Sequence, residues 1–170
     1  NRKIEESKVV RPEGYRPQYR PSGAREGIEE ALELLRQASR PAIIAGSGAH
    51  FANAGQELER FARLVDVPVF TGTMGMGLLA KDDPHAFGNP MAGLAVLATC
   101  DVILLMGARL GLFMGQGKPP FIPADAKLIQ VDIAPFEIGR NFIPDVAVVG
   151  DAKLVLAELL ALLKGGEREA

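Results

Sequence analysis

The chain has few of the residues that usually mark chemistry. Cys100 is its one cysteine, so no intrachain disulfide and no multi-cysteine metal or redox site can be built. Tryptophan is absent, and the only two histidines are His50 and His85. Neither has Cys or carboxylate partners at ligand spacing, so both read as loop residues and no metal ligand is assigned. There is no apolar run long enough to span a bilayer and no signal-peptide pattern, which makes a cytoplasmic setting the expectation. The net charge is only −2, so no broad basic field draws the chain to nucleic acid or to a membrane. Ser47 lacks a Gly-x-Ser-x-Gly elbow, because Ala45 and Ala49 occupy the glycine positions. No catalytic residue is assigned.

What is present suits one globular domain. The 170 residues are 48% hydrophobic and 24% charged, enough to bury a sizeable core. Residues 1–23 lack hydrophobic periodicity and carry Pro12, Pro17 and Pro21, which reads as an extended linker. Its basic residues, Arg16 and Arg20 among them, alternate with Glu5, Glu6 and Glu13, as a solvated connector would rather than a nucleic-acid arm. The chain opens at Asn1 with this connector, so a piece of a longer protein is expected: linker 1–23, domain 24–166, tail 167–170.

Beyond the linker, helical and strand patterns alternate. Ser22 can cap a helix whose apolar face is Ile28, Ala31, Leu32 and Leu35. Strands are expected at Ala42–Ala45, Val67–Phe70, Ala86–Gly88, Val102–Met106, Lys127–Val131 and Val146–Val149. Helices are expected at Asn53–Val65, at Ala92–Thr99 and after Asp151, with one turn at Pro135–Gly139. Short, continuously apolar strands separated by helices predict an α/β fold. The expected form is a doubly wound, open parallel sheet of five or six strands in the order 3-2-1-4-5-6, with helices on both faces.

In such a sheet, ligands bind beyond the carboxyl ends of the strands, where the strand order reverses. That point falls between the strand ending at Gly46-Ser47-Gly48 and the one ending at Gly107-Ala108-Arg109. Glycines there allow a phosphate to approach the backbone, and a following helix start favours an anion. Arg109 can grip phosphate and Asp132 can accept from ribose hydroxyls, which suits an ADP-like ligand. The same glycines can serve only to turn the chain tightly. The dinucleotide fingerprint is incomplete: Phe51 stands where its third glycine belongs, and no acidic residue ends the second strand. Met74, Met76 and Met114 fall in the loops at this end, where they can line a pocket, and Asp82-Asp83 reads as a turn.

Several segments, in order, resemble the central domain of thiamine-diphosphate-dependent enzymes. They are Arg40–Gly48, Val67–Thr71 with Met74–Gly77, Asp101–Arg109, Ile129–Ala134 with Glu137–Gly139, and Gly150-Asp151-Ala152. The resemblance covers about residues 24–163. It looks strongest toward benzaldehyde lyase and its relatives, then acetolactate synthases and oxalyl-CoA decarboxylases. It implies a parent with three α/β domains that makes or breaks a carbon–carbon bond next to a carbonyl. The flanking domains would hold thiamine diphosphate and magnesium across the interface of a homodimer or homotetramer. The resemblance also implies that Gly46, Gly48, Arg109, Asp132, Ile133, Glu137, Asp151 and Ala152 surround any ADP or FAD in this domain. Flavin-binding members carry Phe-Asp-Asp-Arg after the arginine, whereas this chain has Leu110-Gly111-Leu112-Phe113, so tightly held FAD is not expected. A free-standing nucleotide-binding or sensor domain and a purely structural spacer remain alternatives. A sirtuin-like deacetylase would need a cysteine set that is missing.

Overall fold

The strands read as unbroken apolar runs because most of them are covered on both faces. Along the first, Ile43 and Ala45 enter one core while Ala42 and Ile44 enter the other. Leu104 and Met106 in the middle strand likewise oppose Ile103 and Leu105. This is the period of two expected of a strand, with neither face left to water.

The computed structural model describes residues 19–166. Residues 1–18 of the expected linker and the expected tail at 167–170 lie outside the described residues. The elements are α1 (Arg25–Gln37), β1 (Pro41–Ala45), α2 (Ser47–Phe51), α3 (Gly55–Val65), β2 (Val69–Thr71), α4 (Leu94–Leu97), β3 (Val102–Met106), β4 (Lys127–Asp132), β5 (Val146–Val149) and α5 (Ala152–Gly166). The five strands form one parallel sheet in the order β2-β1-β3-β4-β5. The expected third strand is reduced to a single parallel bridge, Ala86 on Val69, at the outer edge of β2. With that segment counted, the order is the expected 3-2-1-4-5-6.

One core packs α1, α3 and α5 against the sheet, and α3 leans on α5. Leu58 and Phe61 on α3 are fully buried there; each such side chain contributes about 1.5–3 kcal/mol. The other core is smaller and is closed by Leu97, Leu110 and Ile122 over β1 and β3. β5 is the exception to two-sided burial: Val146 and Val148 are buried and Ala147 and Val149 are not, as suits an edge strand with one covered face.

Local details differ from the sequence reading. α1 starts from Ala24 with no side-chain cap, so Ser22 does not serve that role. The helix expected from Asn53 is preceded by the short α2, so His50 sits in a helix rather than a loop. Asn53, with φ +56°, breaks the path before α3 begins; Asn tolerates this left-handed region better than most residues. The Asp82-Asp83 turn is also an anchor. Asp83 is buried, accepts from Arg63 Nη2 at 2.9 Å and from the His85 amide at 2.9 Å, and so ties its loop to α3. The hydrogen bonds that His85 and Arg63 make hold the Asp83 carboxyl below its ordinary value. Among the described residues no helix is long and apolar enough to cross a membrane.

Candidate functional site

The chain leaves β1 toward β2 on one side and returns to place β3 on the other, so the loops after β1 and β3 diverge at the carboxyl edge. Their first residues meet backbone to backbone. The amide of Gly48 donates to the Gly107 carbonyl at 2.9 Å. A Cβ on Gly48 would lie 2.7 Å from Gly107 Cα, and one on Gly46 would lie 2.5 Å from the Gly107 carbonyl oxygen. The amides of Gly46 and Gly107 donate to the carbonyls of Met106 and Val131. These glycines are therefore required by the closure of the two loops, and the amides of Gly46, Gly48 and Gly107 are already committed. α2, at five residues, is also too short to present much of a dipole. The phosphate-cradle argument read from the glycine pattern thus gives way to a packing one.

Two hollows flank this contact. The first is a cleft of about 350 Å³ whose walls include Arg20, Gly48, Phe51, Arg109, Asp132, Ile133, Asp151 and Ala152. The second, of about 430 Å³, is mostly apolar and is lined by Gly46, Met74, Met76, Met91 and Met114. Ser47 and Arg109 border both. Met91 joins the three methionines expected in these loops. A third hollow lies at the amino ends of the strands, around Arg40 and Asp101. Its polar groups are already used: Asp101 accepts from the amides of Ser39 and Arg40, and Arg40 Nε donates to the Thr99 carbonyl.

Of the eight residues singled out by sequence, six line the first cleft. Gly46 lines the second, and Glu137 lies behind Arg109. Glu137 is only 5% exposed and its carboxylate is flanked by Arg109 Nε at 3.4 Å and Arg140 Nη1 at 3.1 Å. The turn that carries it is locked by buried Gln130, whose Nε2 donates to the Glu137 carbonyl and whose Oε1 accepts from the Gly139 amide. Gln130 is the one buried polar side chain in β4 before Asp132, and both ends of its amide are used to hold this turn. Arg109, 65% exposed, keeps most of its guanidinium free at the cleft mouth while Glu137 sets its direction.

At the far wall, Asp132 Oδ1 accepts from the Ala134 amide at 2.9 Å, and its other oxygen has no protein partner among the described residues. Asp151 caps α5 through Oδ1, which accepts from the amides of Lys153 and Leu154. Phe51 and Ile133, 69% and 48% exposed, put apolar surface on the same cleft. The arrangement combines two arginines, Arg109 and the Asp151-paired Arg20, one free carboxylate oxygen and two apolar faces. Sequence reading missed Arg20 and Phe51. Arg20 lies in a stretch with no periodicity, and Phe51 entered only as a failed glycine.

Among the described residues no three His, Cys, Asp or Glu side chains are grouped as a metal site. Comparison with known proteins gives one consistent family. The family model described as thiamine pyrophosphate enzyme, central domain, matches residues 28–159. A probable acetolactate synthase large subunit of Methanocaldococcus jannaschii is 38% identical over 86% of this chain and 26% of its own length. A 2-hydroxyacyl-CoA lyase 1 of Dictyostelium discoideum is 37% identical over 81% of this chain and 24% of its own length. A glyoxylate carboligase of Escherichia coli O157:H7 is 36% identical over 85% of this chain and 25% of its own length. The chain thus spans about a quarter of the curated relatives it matches. In fold it resembles a benzoylformate decarboxylase structure from Polynucleobacter necessarius, with a TM-score of 0.72 at 22% identity, covering 95% of this chain and 30% of that one.

Proposed function

The chain belongs to the thiamine pyrophosphate enzyme central-domain family, and from that premise we propose that it is the middle domain of an enzyme that makes or breaks a carbon–carbon bond next to a carbonyl. Its own part is to hold the ADP portion of a nucleotide in the cleft between Arg109 and Asp132. Flanking domains of the parent supply thiamine diphosphate, magnesium and the reacting groups. The residues of this chain that face its cleft serve as binding groups.

The observation that carries the reading is the pairing of a free cation with a free carboxylate oxygen across one cleft. Arg109, aimed by Glu137, meets the diphosphate. The unpartnered oxygen of Asp132 accepts from the ribose diol. The base lies toward Phe51, Ile133 and Ala152. Gly48 contributes indirectly: lacking a side chain, it lets the loops after β1 and β3 close against each other beside the cleft. Titration calorimetry with ADP tests this. The Arg109→Ala variant loses about tenfold in affinity, the equivalent of one charge-assisted hydrogen bond of ~1.5 kcal/mol. Equal binding by wild type and variant would mean that the ligand sits elsewhere.

One observation favours a second reading. The methionine-lined hollow adjoins the cleft at Ser47 and Arg109, so an extended flavin dinucleotide could occupy both. Leu110-Gly111-Leu112-Phe113, in place of the acidic run of flavin-binding relatives, weighs against it. FAD binding much tighter than ADP would establish the second reading; equal or weaker binding keeps the first.

A further inference from the structure

One wall of the cleft comes from the linker rather than from the sheet. Arg20 lines the cleft together with the loops that carry Gly48 and Arg109. Its Nη1 donates to Asp151 Oδ2 at 3.1 Å and lies 3.5 Å from the Ala52 carbonyl. Asp151 is 4% exposed, whereas the Arg20 side chain is 53% exposed. The linker backbone is docked as well. The amide of Asp151 donates to the Pro21 carbonyl at 2.8 Å. Gly23 and Gly150 meet so closely that a Cβ on Gly150 would lie 3.1 Å from the Gly23 nitrogen.

The electrostatics of this corner have a definite sign. Asp151 is a carboxylate on the wall of a cleft proposed to take an anion, so alone it would repel the ligand. Asp151 Oδ1 is spent on the α5 amides, and Oδ2 is the atom that Arg20 covers. Arg20 uses one nitrogen for this and retains further N–H donors that are half open to solvent.

Resting on the nucleotide reading, we propose that Arg20 is the second anion-binding cation of the cleft, where it also covers the Asp151 carboxylate, and that filling the cleft tightens the docking of the linker.

The test is a titration of inorganic pyrophosphate and of ADP into wild type, Arg20→Ala, Arg20→Lys and Asp151→Asn. Asparagine keeps the helix cap, so Asp151→Asn removes charge without removing the α5 start. Arg20→Ala should bind both ligands roughly tenfold more weakly. Arg20→Lys should recover part of that loss, and Asp151→Asn should bind at or above the wild-type level. A purely structural pair would instead make Arg20→Ala and Asp151→Asn fall together, and that result, or no change in Arg20→Ala, overturns the proposal. Hydrogen exchange of the Asp151 amide should slow when pyrophosphate is added to wild type; an unchanged rate overturns the coupling to the linker. The nucleotide reading fails separately: pyrophosphate binding that depends on Arg20, with ADP no tighter, removes the nucleotide and leaves Arg20 as an anion site. Failure of wild type to bind either ligand overturns both.

Discussion

Replacing Gly107 with alanine should be far more damaging than replacing Gly77, although both glycines adopt a positive φ. Gly107 has φ +56° and Gly77 has φ +89°. An L-residue in the left-handed region costs about 1–2 kcal/mol, and both variants carry a penalty of this kind. They differ in what the new methyl group meets. At Gly77 nothing lies within 4 Å, whereas at Gly107 the Cβ would lie 2.6 Å from Gly48 Cα and 2.7 Å from the Ala49 nitrogen. Those are backbone atoms at the start of α2 and cannot rotate aside. Forced overpacking adds about 1–3 kcal/mol, which brings the Gly107→Ala total to about 2–5 kcal/mol. For a chain of this size that lowers Tm by about 10 °C, against about 5 °C for Gly77→Ala. Urea denaturation and calorimetric melting of the two variants measure the difference directly. Equal losses would mean that the Gly48–Gly107 contact is not tight, and with it would go the account of how the two loops fix the cleft.

Four further outcomes are expected. Glu137→Gln should weaken ADP binding by severalfold without touching the ligand, because Arg109 loses the anion that directs it; calorimetry on a correctly folded variant checks this. Asp101 and Asp145 are held below the ordinary carboxyl value: burial alone would raise them, but amides of Arg40 and Ser39 for the first, and Lys127 with the Leu128 amide for the second, outweigh it. Each therefore binds its proton less readily when folded, so its stabilisation is complete above the unfolded carboxyl value of about pH 4 and is lost as pH falls through the lowered folded value. Melting temperatures should drop steeply below about pH 4, and Asp101→Asn should flatten that slope. Cys100 is buried, and burial together with nearby Asp101 pushes its thiol up, so a thiol reagent should label it slowly in native buffer and quickly in urea. The chain supplied with thiamine diphosphate and magnesium should not cleave a 2-hydroxy ketone; turnover by the purified chain would contradict the assignment of catalysis to flanking domains.

The sheet was legible because its strands bury both faces. Runs such as Val102–Met106 need no alternation to be recognised when Gly107 ends them and helical spacing surrounds them. The same logic located the switch point between Gly46 and Gly107. Local starts and stops were less legible. α2 has no periodic apolar face to announce it, and the α1 start at Ala24 uses no side-chain cap, so Ser22 drew the reading to the wrong residue. The edge segment at Ala86 was too short to show that it would make one bridge only. The candidate site was legible where a residue ends a strand, as Asp132 does, or closely follows one, as Arg109 does. Glu137 was singled out by resemblance, but its place behind Arg109 follows from the buried Gln130, whose partner cannot be read along the chain. Arg20 was least legible, since its role comes from a contact with Asp151, 131 residues away.

The measurement closest to the central claim is a crystal structure of the chain grown with ADP at saturating concentration. The expected result is density in the cleft between β1, β3 and β4, with the diphosphate on Arg109, the ribose hydroxyls on the free oxygen of Asp132 and the base against Phe51 and Ile133. An empty cleft under those conditions, or ADP bound away from Arg109 and Asp132, would contradict the nucleotide reading and leave the domain as a structural spacer.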